Sequence, residues 1–437
     1  MMAQLSSIMM QYIDASMVGR LGADDSASVG LVSTSLWLFW GVCSAVTMGF
    51  SVQVAHSIGA GDHVRARNIL RQGITACLLI SIAVAAIGAA IASPLPHWLG
   101  GGEAVCSKAT LYFLVFVLAL PLLTMNYLGG GMLRCAGNMK VPGGLNVMMC
   151  VLDVIFNFML IFPTRQLSLG SLSVTMPGAG LGVLGAALGT VGAEIVTAGA
   201  MMWYLCYRQK DMAIGHERGS FRPTREVLRK AMRVSAPMTL EHAVICGAQI
   251  AVTVIVAPLG VMAIAANAFA VTAESICYMP GYGIGDAATT LVGQSYGAKR
   301  LDLAKRFGYI TVGLGMLTMT VMGLVMYICA PWVMELMSPV GEIVNLGVQS
   351  LRIEAFAEPM FAASIVAYGV MIGVGDTIIP AAMNFGSIWL VRLPLAALLA
   401  PQMGLAGVWL AMCIELSFRG AIFLWRLFSG AWLKKGL

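Results

Sequence analysis

Hydrophobic residues form long uninterrupted runs along this chain, without the alternation of a half-buried strand. The runs ITACLLISIAVAAIGAAIA, at residues 74–92, and YITVGLGMLTMTVMGLVMYICA, at 309–330, contain no charged residue. Each reaches the ~20 residues that a helix needs to cross about 30 Å of hydrocarbon. Because a span must satisfy its backbone polar groups internally, and ten-residue strands of alternating polarity are absent, the spans are predicted to be helices.

Glycines, prolines and charged clusters divide these apolar runs into two groups of six. The polar stretch RQKDMAIGHERGSFRPTREVLRK, which begins at residue 208, separates the groups. The pattern predicts transmembrane helices near residues 2–19, 28–56, 70–94, 109–134, 141–163, 178–206, 229–258, 264–294, 308–333, 344–374, 379–400 and 404–430. The predicted fold is an all-α membrane protein with a six-helix lobe at 1–207, a cytoplasmic linker at 208–228 and a second six-helix lobe at 229–437.

The two halves of the chain repeat the same landmarks at a constant offset. A shift of 238 residues aligns SIGAGDHVRAR, which begins at residue 57, with SYGAKRLDLAK. The same shift superposes four pairs of single residues: Pro121 and Pro359, Gly137 and Gly375, Pro142 and Pro380, and Asn146 and Asn384. Because each half contains an even number of spans, both halves enter the membrane from the same side. This predicts a parallel repeat, with a substrate site in the cleft between the lobes.

The repeat is interrupted once. Further along the chain, GVLGAAL at 182–188 aligns with GLAGVWL at the smaller offset of 222. The first half therefore carries an extra segment, which is predicted to be an external loop with the sequence PTRQLSLGSLSVTMPGAG at 163–180.

The composition is that of a membrane protein. Hydrophobic residues make up 59% of the 437 residues and charged residues only 11%, against roughly 25% charged in an average soluble domain. The net charge of +6 comes from Lys and Arg concentrated on alternate loops, the linker and the C-terminal tail. Because cytoplasmic loops carry that excess, it predicts a multi-pass protein of the cell membrane (plasma or inner) with both termini in the cytoplasm.

Asp14 lies inside the first predicted span, in the stretch QYIDASMVGRLG. A carboxylate near the middle of a membrane costs roughly 2.5–3.5 kcal/mol on insertion scales, so it needs a partner, a proton or a water-filled cavity. In one interpretation a neutral Asp14 only hydrogen-bonds a neighbouring helix. In the functional interpretation it forms a site for a proton or a small cation.

The fifth predicted span supplies a partner for Asp14. Polar residues recur there at helical spacing on one face, at Asn146, Cys150, Asp153 and Asn157. Two carboxyl groups brought close together cannot both ionise cheaply, so Asp14 and Asp153 are predicted to exchange a proton or to hold a monovalent cation such as Na⁺. Thr190 on the sixth span can add a hydroxyl oxygen, a ligand type that hard cations prefer.

The second lobe lacks an equivalent of Asp14, because Val252 occupies the aligned position. Glu241 and Glu274 lie within spans and have no basic neighbour on their own helices. Together with Asp14, they are candidates for binding a cationic substrate. Tyr278, one turn after Glu274, is the aromatic candidate, because aromatic faces attract organic cations. For other charged residues of this lobe, internal pairs that hold helices together are an alternative interpretation, at Glu354, Glu358, Arg392 and Glu415.

Motifs of nucleotide hydrolysis and metal catalysis are absent. There is no GxxxxGK[ST] loop, HExxH motif or CxxC pair. The ten Cys residues lie singly, which indicates neither a disulfide framework nor a zinc site. The sequence therefore predicts no enzyme and no cofactor, and energy for transport would come from an ion gradient.

The pattern resembles the multidrug and toxic compound extrusion (MATE) family of transporters. The resemblance rests on six stretches in the expected order, spread over nearly the whole chain: IDASMVGRLG, QVAHSIGAGDHVRAR, VLDVIF, GVLGAALGT, VGQSYGAKRLDLAK and VGDTIIP. It implies a V-shaped fold of twelve helices in two bundles. It also implies export of cationic or amphipathic compounds in exchange for protons or sodium ions.

The resemblance implies roles for single residues. The family's first-helix acid, the fifth-helix acid of its DinF-like branch and a sixth-helix Thr fall on Asp14, Asp153 and Thr190. Met149 departs from that branch, which often has an Asn there, although Asn146 or Asn157 can substitute. The departure favours protons over sodium ions. Glu241 lies about one turn from the position of the seventh-helix Glu of the NorM-like branch.

A lipid-linked precursor flippase of related architecture is the alternative function. It would favour a strongly basic central cavity for pyrophosphate, whereas the charges predicted within spans here are mainly acidic. The expected partners are therefore organic cations or amphipathic drugs, H⁺ or Na⁺, and the lipid bilayer. No nucleic-acid partner is expected, and the chain is expected to function as a monomer.

Overall fold

The computed structural model describes residues 2–169, 172–214 and 219–435. Within these ranges the first half forms α1 (Met2–Gly19), α2 (Ala23–Gly59), α3 (His63–Ile91), α4 (Leu95–Trp98), α5 (Glu103–Leu118), α6 (Leu120–Cys135), α7 (Lys140–Ile161) and α8 (Gly182–Trp203). The second half forms α9 (Arg225–Val256), α10 (Val261–Gly297), α11 (Leu301–Met337), α12 (Gly341–Glu354), α13 (Glu358–Val374), α14 (Ile378–Gly386), α15 (Leu393–Met403) and α16 (Leu405–Ser429). π-Helical turns extend α8 through Tyr204–Arg208 and join α14 to α15 through Ser387–Arg392.

The described helices form two bundles of six spans, as predicted. Within residues 2–169, 172–214 and 219–435, nine helices are long and apolar enough to cross a membrane, and two bent pairs, α5 with α6 and α12 with α13, complete one span each. With the 18-residue α1, these make twelve spans in the described part of the chain.

Each bent pair breaks where the repeat places a proline. α5 and α6 meet at 45°, and α12 and α13 meet at 60°. Pro121 and Pro359, which the 238-residue offset aligns, each lie at the second position of the helix after the break. Proline lacks a backbone N–H and its ring clashes with the preceding turn, so it is favoured at a helix start and tends to kink or break a helix elsewhere. The sequence predicted continuous helices at 109–134 and 344–374, and the structure corrects both.

The extra segment at 163–180, which the sequence predicted to be an external loop, forms a β-hairpin. β1 (Pro163–Leu169) pairs antiparallel with β2 (Leu172–Ala179), with Gln166 opposite Thr175. The turn residues 170 and 171 lie outside the described residues. Because β2 continues to Ala179, α8 begins at Gly182 and not at the predicted residue 178.

The linker and the start of α9 pack on the first lobe. Arg71 of α3 donates to the carbonyl oxygen of Ile214 at 2.8 Å, and Gln72 Oε1 accepts from the backbone N–H of Thr224 at 2.8 Å. Residues 215–218 of the predicted linker, which include Arg218, lie outside the described residues. The division of the chain at 208–228 stays a prediction.

α9 connects the two lobes. Near its start, the Gln53 side chain of α2 donates to the carbonyl oxygen of Val227 at 3.1 Å, and Val227 belongs to a hydrophobic cluster of the first lobe. At its end, Val256 belongs to a cluster of the second lobe. Pro237 lies between these regions, inside the helix. α9 therefore passes from one hydrophobic core into the other.

Two glycines bring the backbones of the lobes together where α2 and α10 end. A Cβ atom added to Gly59 would lie 1.9 Å from the carbonyl oxygen of Gln294, and one added to Gly297 would lie 2.0 Å from that of His56. The 238-residue offset relates Gly59 to Gly297 and His56 to Gln294. The contact is thus symmetric under the repeat.

Side chains close the same contact symmetrically. His56 Nε2 donates to the carbonyl oxygen of Gly373 at 2.7 Å, and Gln294 Nε2 donates to that of Cys135 at 2.6 Å. Cys135 and Gly373 are also related by the 238-residue offset. We call these six residues, Cys135, Gly373, His56, Gln294, Gly59 and Gly297, the interlobe contact. Its geometry agrees with the parallel repeat that the sequence predicted.

We expect Gly59→Ala or Gly297→Ala to force the interlobe contact apart, because each methyl group would overlap a carbonyl oxygen of the other lobe. The unfolding free energy should fall by about 1–3 kcal/mol. The buried thiol of Cys135 should become reactive towards maleimide, which peptide mass spectrometry can detect.

Gly30→Ala is the matched control, because it lies on α2 with nothing within 4 Å of its added Cβ. Equal labelling of Cys135 in all three variants and in the unchanged protein would contradict a steric role for the two glycines.

Candidate functional site

One amide group joins the two predicted carboxyl groups of the first lobe. Asn157 Nδ2 donates to Asp14 Oδ1 at 2.8 Å and to Asp153 Oδ2 at 3.1 Å. Asp14 lies on α1, whereas Asp153 and Asn157 lie one turn apart on α7. The structure therefore brings together residues that the sequence placed on separate spans.

Two oxygens of this group have no donor. Asp153 and Asn157 are fully buried, and the Oδ1 atom of each lacks a hydrogen-bond partner. Burying a polar atom without a hydrogen bond is unfavourable, and burying an unpaired charge is more so. The arrangement can therefore bind a proton on one carboxyl group, or a small cation between the oxygens.

α8 closes one side of the group. A Cβ atom added to Gly189 would lie 2.0 Å from Asn157 Oδ1, so only glycine allows this approach. Next to it, the Thr190 hydroxyl donates to the carbonyl oxygen of Ala186 at 3.1 Å and is also within hydrogen-bonding reach of Asp153. Thr190 thus lies where the sequence placed it, beside the carboxyl pair.

Glu194 is a further acidic residue that the sequence reasoning missed. It lies on α8 one turn after Thr190, is 8% exposed and is close enough to interact electrostatically with Asp153. The four-residue spacing from Thr190 was the available signal, because such a pair shares one helix face. The first lobe therefore holds three acidic side chains around one region.

Asn146 is not part of this group. It lies seven residues before Asp153, which is about 10 Å along the helix axis. No hydrogen bond links Asn146 to either carboxyl group in the described part of the chain. Met149, in the turn between them, accepts a weak contact from Asn126 Nδ2 at 3.9 Å. Of the two predicted amides, only Asn157 reaches the carboxyl groups.

Glu241 of the second lobe is held by neutral donors. It accepts hydrogen bonds from the Tyr368 hydroxyl and from Asn384 Nδ2, the latter at 2.5 Å. Arg419 also interacts with it electrostatically. Asn384 is the repeat counterpart of Asn146, so the aligned asparagines have different partners in the two lobes.

Glu274 belongs to a buried carboxyl cluster with Glu354 and Glu358. Glu274 is 5% exposed, and the other two are fully buried with no hydrogen-bond partner on any of their four carboxyl oxygens. Electrostatic interactions connect all three side chains. The alternative interpretation of internal ion pairs does not hold for Glu354 and Glu358 in this structure.

Glu415, in contrast, forms that kind of internal pair. It binds Arg392 at 2.6 Å and Arg419 at 3.0 Å, and it accepts a hydrogen bond from Ser387 at 2.5 Å. Ser387 and Arg392 lie at the two ends of the π-helical turn, where the altered spacing brings both side chains towards α16. Both arginines are therefore occupied by Glu415.

Tyr278 lies in an aromatic group near the interface of the lobes. Its ring lies 5.7 Å from that of Phe361 and 5.9 Å from that of Tyr282. One turn before it, Ser275 lies within hydrogen-bonding reach of Tyr12 of α1. The Arg419 guanidinium lies 5.6 Å from the centre of the Phe361 ring. One face of this ring is therefore already in contact with a cation.

A GxSxG match at Gly293–Gly297 is not a nucleophile site. It lies at the end of α10, whereas a nucleophile of that motif sits on a sharp turn between a strand and a helix. Ser295 is buried and donates to the carbonyl oxygen of Leu291 at 2.7 Å. The motif instead belongs to the interlobe contact.

A comparison with protein-family models matches the MatE model to residues 1–159 and 237–398, one range in each half of the chain. The chain is 24% identical over 431 residues to the probable multidrug resistance protein NorM of Thermotoga maritima, covering 97% of this chain and 89% of that protein. It is 24% identical over 446 residues to the multidrug resistance protein MdtK of Yersinia pestis, covering 99% and 93%.

Among solved structures, one is described as the outward-facing conformation of a multidrug resistance MATE family transporter of the MOP superfamily. It superposes with a TM-score of 0.90 at 20% identity, covering all of this chain and 94% of that one. This likeness agrees with the fold of two six-helix bundles.

We expect Gly189→Ala to displace the Asn157 side chain, because the methyl group would overlap its Oδ1 atom. The unfolding free energy should fall by about 1–3 kcal/mol in thermal or denaturant unfolding. Gly199→Ala on the same helix is the control, since nothing lies within 4 Å of its added Cβ. It should be neutral or stabilise by up to about 1 kcal/mol. Equal effects of the two substitutions would show that α8 does not press against Asn157.

Proposed function

We propose that this chain, which belongs to the MatE family, is a secondary active multidrug efflux transporter that exports cationic or amphipathic compounds in exchange for protons. Members of the family are transporters and not enzymes. The relatives named for multidrug resistance support the kind of substrate, and the geometry of the first lobe supports the kind of coupling.

The observation that carries the proposal is the amide shared by Asp14 and Asp153. One neutral donor cannot compensate two negative charges, of which Asp153 is fully buried and Asp14 half-buried. No lysine or arginine bonds either carboxyl group in the described part of the chain. A mobile cation must therefore neutralise the pair for it to stay in the membrane interior. Release of that cation leaves a state of higher energy, which is what coupling to a gradient needs.

The donor set favours a proton over a sodium ion. Sodium is a hard cation that prefers several oxygen ligands. The free oxygens of Asp153 and Asn157, with Thr190, offer some of these. Asn146 lies too far away to add one, and Met149 presents sulfur where an amide oxygen would be needed. A proton needs only one carboxyl oxygen, and Glu194 nearby can accept it next.

α1 is the element that we expect to respond. It carries Asp14 and bonds α7 through Asn157, while its Tyr12 lies within hydrogen-bonding reach of Ser275 on α10 of the other lobe. Loss or gain of a charge on Asp14 therefore changes contacts on both sides of the cleft. A bound cation shifts the two conformations only if it binds them with different affinity, and this shared position provides such a difference.

Substrate attraction is proposed for the second lobe. The cluster of Glu274, Glu354 and Glu358 carries acidic groups without bonded cations, close to the ring of Tyr278. Glu241 is the weaker candidate, because each of its oxygens already accepts a hydrogen bond, one from Tyr368 and one from Asn384. The acidic character of these groups suits an organic cation.

The alternative function, a lipid-linked precursor flippase, is not favoured. The described interior holds carboxyl groups without an ion pair at Asp153, Glu354 and Glu358, whereas Arg392 and Arg419 are both paired with Glu415. Members of the family are multi-pass proteins of the inner membrane. With both termini in the cytoplasm, as the charge distribution predicts, the interlobe contact closes the cytoplasmic end.

Asp14→Asn should abolish gradient-driven export while the protein still inserts and folds. In proteoliposomes, efflux of a fluorescent organic cation should fall to the level of empty vesicles, because a neutral side chain cannot exchange a proton. Asp24→Asn is the control, since it removes the same charge from an exposed position at the start of α2. Export by Asp14→Asn in response to an imposed pH gradient would overturn the assigned role.

Proton and sodium gradients imposed separately should give different results in the same vesicles. A pH gradient alone should drive export, and a sodium gradient at equal pH should not. If sodium alone drives export and the free oxygens of Asp153 and Asn157 are needed for it, the coupling ion is sodium. The transporter proposal would then stand and the proton proposal would fail.

A further inference from the structure

A cavity of about 500 Å³ lies beside the interlobe contact, between the two lobes. Its wall includes His56 and Arg65 from the first lobe and Tyr296 and Lys299 from the second. Lys230, at the start of α9, completes the basic side chains. The cavity is distant in the fold from the carboxyl groups of Asp14 and Asp153, and the proposed transport mechanism does not use it.

The wall of the cavity carries an excess of positive charge. Arg65, Lys230 and Lys299 face one acidic residue, Asp62, whose carboxylate caps α3 by accepting the backbone N–H of Arg65 at 2.9 Å. Glu226, outside the wall, pairs with Arg65 at 3.1 Å and with Lys230 at 3.0 Å. The Glu226 side chain is 65% exposed, and exposed ion pairs contribute only about 0–1 kcal/mol to stability. A more highly charged anion in the cavity can therefore displace Glu226 from Arg65 and Lys230.

Lys299 is held in a strained backbone conformation. Among the described residues it is the only non-glycine with a positive φ, at 59°. Its repeat counterpart is Gly61, with a φ of 75°. The left-handed region costs a residue with a Cβ roughly 1–2 kcal/mol, which glycine avoids. The second lobe thus has a lysine where the turn alone would favour glycine, and its side chain lines the cavity.

The remaining wall suits an amphiphilic or compact phosphate compound. Tyr296 can donate a hydroxyl hydrogen bond, whereas the Ser57 hydroxyl already donates to the carbonyl oxygen of Gln53 at 2.9 Å. Ile69 and Leu433 give the cavity an apolar side. Basic pockets between transmembrane helices at the cytoplasmic side bind phosphorylated lipid headgroups. A soluble phosphate compound presents the same oxygens.

We propose that this cavity binds a phosphate-bearing anion and that its occupancy holds the interlobe contact closed. The wall takes Arg65 from one lobe and Lys299 from the other, so the anion bridges them only while the lobes touch. A ligand that binds one conformation better shifts the equilibrium towards it. The site therefore regulates opening at this end, whatever compound is transported.

The test uses the full-length protein in three kinds of nanodisc sample: phosphatidylcholine alone, phosphatidylcholine with phosphatidylglycerol, and phosphatidylcholine with added inorganic pyrophosphate. We expect the midpoint of thermal unfolding to rise in one of the last two samples, because a ligand of the folded state stabilises it. Hydrogen exchange at residues 56–62 and 294–301 should slow in the same sample. A rise with lipid alone identifies a headgroup, and a rise with pyrophosphate identifies a soluble phosphate compound.

Lys299→Gly and Lys230→Gln should each weaken that ligand about fivefold in a titration of the midpoint. Lys299→Gly should keep or raise the midpoint without ligand, because it relieves the strained conformation. Weaker binding by this variant could then not be attributed to a loss of folding. Lys140→Gln is the control, since it removes an exposed lysine at the start of α7, away from the cavity. The proposal is overturned if neither sample stabilises the protein, or if Lys140→Gln weakens the effect as much as Lys299→Gly.

Discussion

The cost of a negative charge in hydrocarbon is the constraint on which this structure depends. Asp14 and Asp153 share a single amide donor from Asn157, and one oxygen of Asp153 has none. α8 can approach this group only because Gly189 lacks a side chain. Three helices are thus arranged around carboxyl groups that the protein itself leaves incompletely compensated, and the cation of the proposed coupling would supply the missing charge.

The two lobes have the same backbone plan but compensate their acids differently. In the first lobe the acids have neutral partners, whereas in the second Glu415 is bound by two arginines and Glu241 by Tyr368 and Asn384. Glu354 and Glu358 remain without hydrogen-bond partners. A duplicated scaffold can therefore place a coupling function in one lobe and a recognition function in the other, because its contacts within each lobe are largely independent.

The sequence predicted the number of spans, the repeat and the pairing of Asp14 with Asp153. Hydropathy and a constant offset between the halves can be recognised in the sequence without knowing which helices touch. It missed the breaks before Pro121 and Pro359, where a short interruption lies inside one apolar run. It missed Glu194 as well. It also placed Asn146 in the same site as Asp153. Spacing along one helix identifies a shared face, but it does not show at which level along that face a residue of another helix makes contact. Whether Glu358 would find an arginine depended on contacts between helices, which no single-helix pattern contains.

At Gly59 and Gly297 the backbones of the two lobes approach each other closely. The closure of this end of the cleft is therefore separate from the choice of the compounds that the cleft accepts. Where two lobes meet through carbonyl oxygens, bare α-carbons and the side chains of His56 and Gln294, the barrier to leakage does not depend on which side chains line the rest of the cleft. Residues of the cleft can then change over evolutionary time, and the range of exported compounds can widen, without making the membrane permeable. A barrier built from side chains would have tied these two properties together.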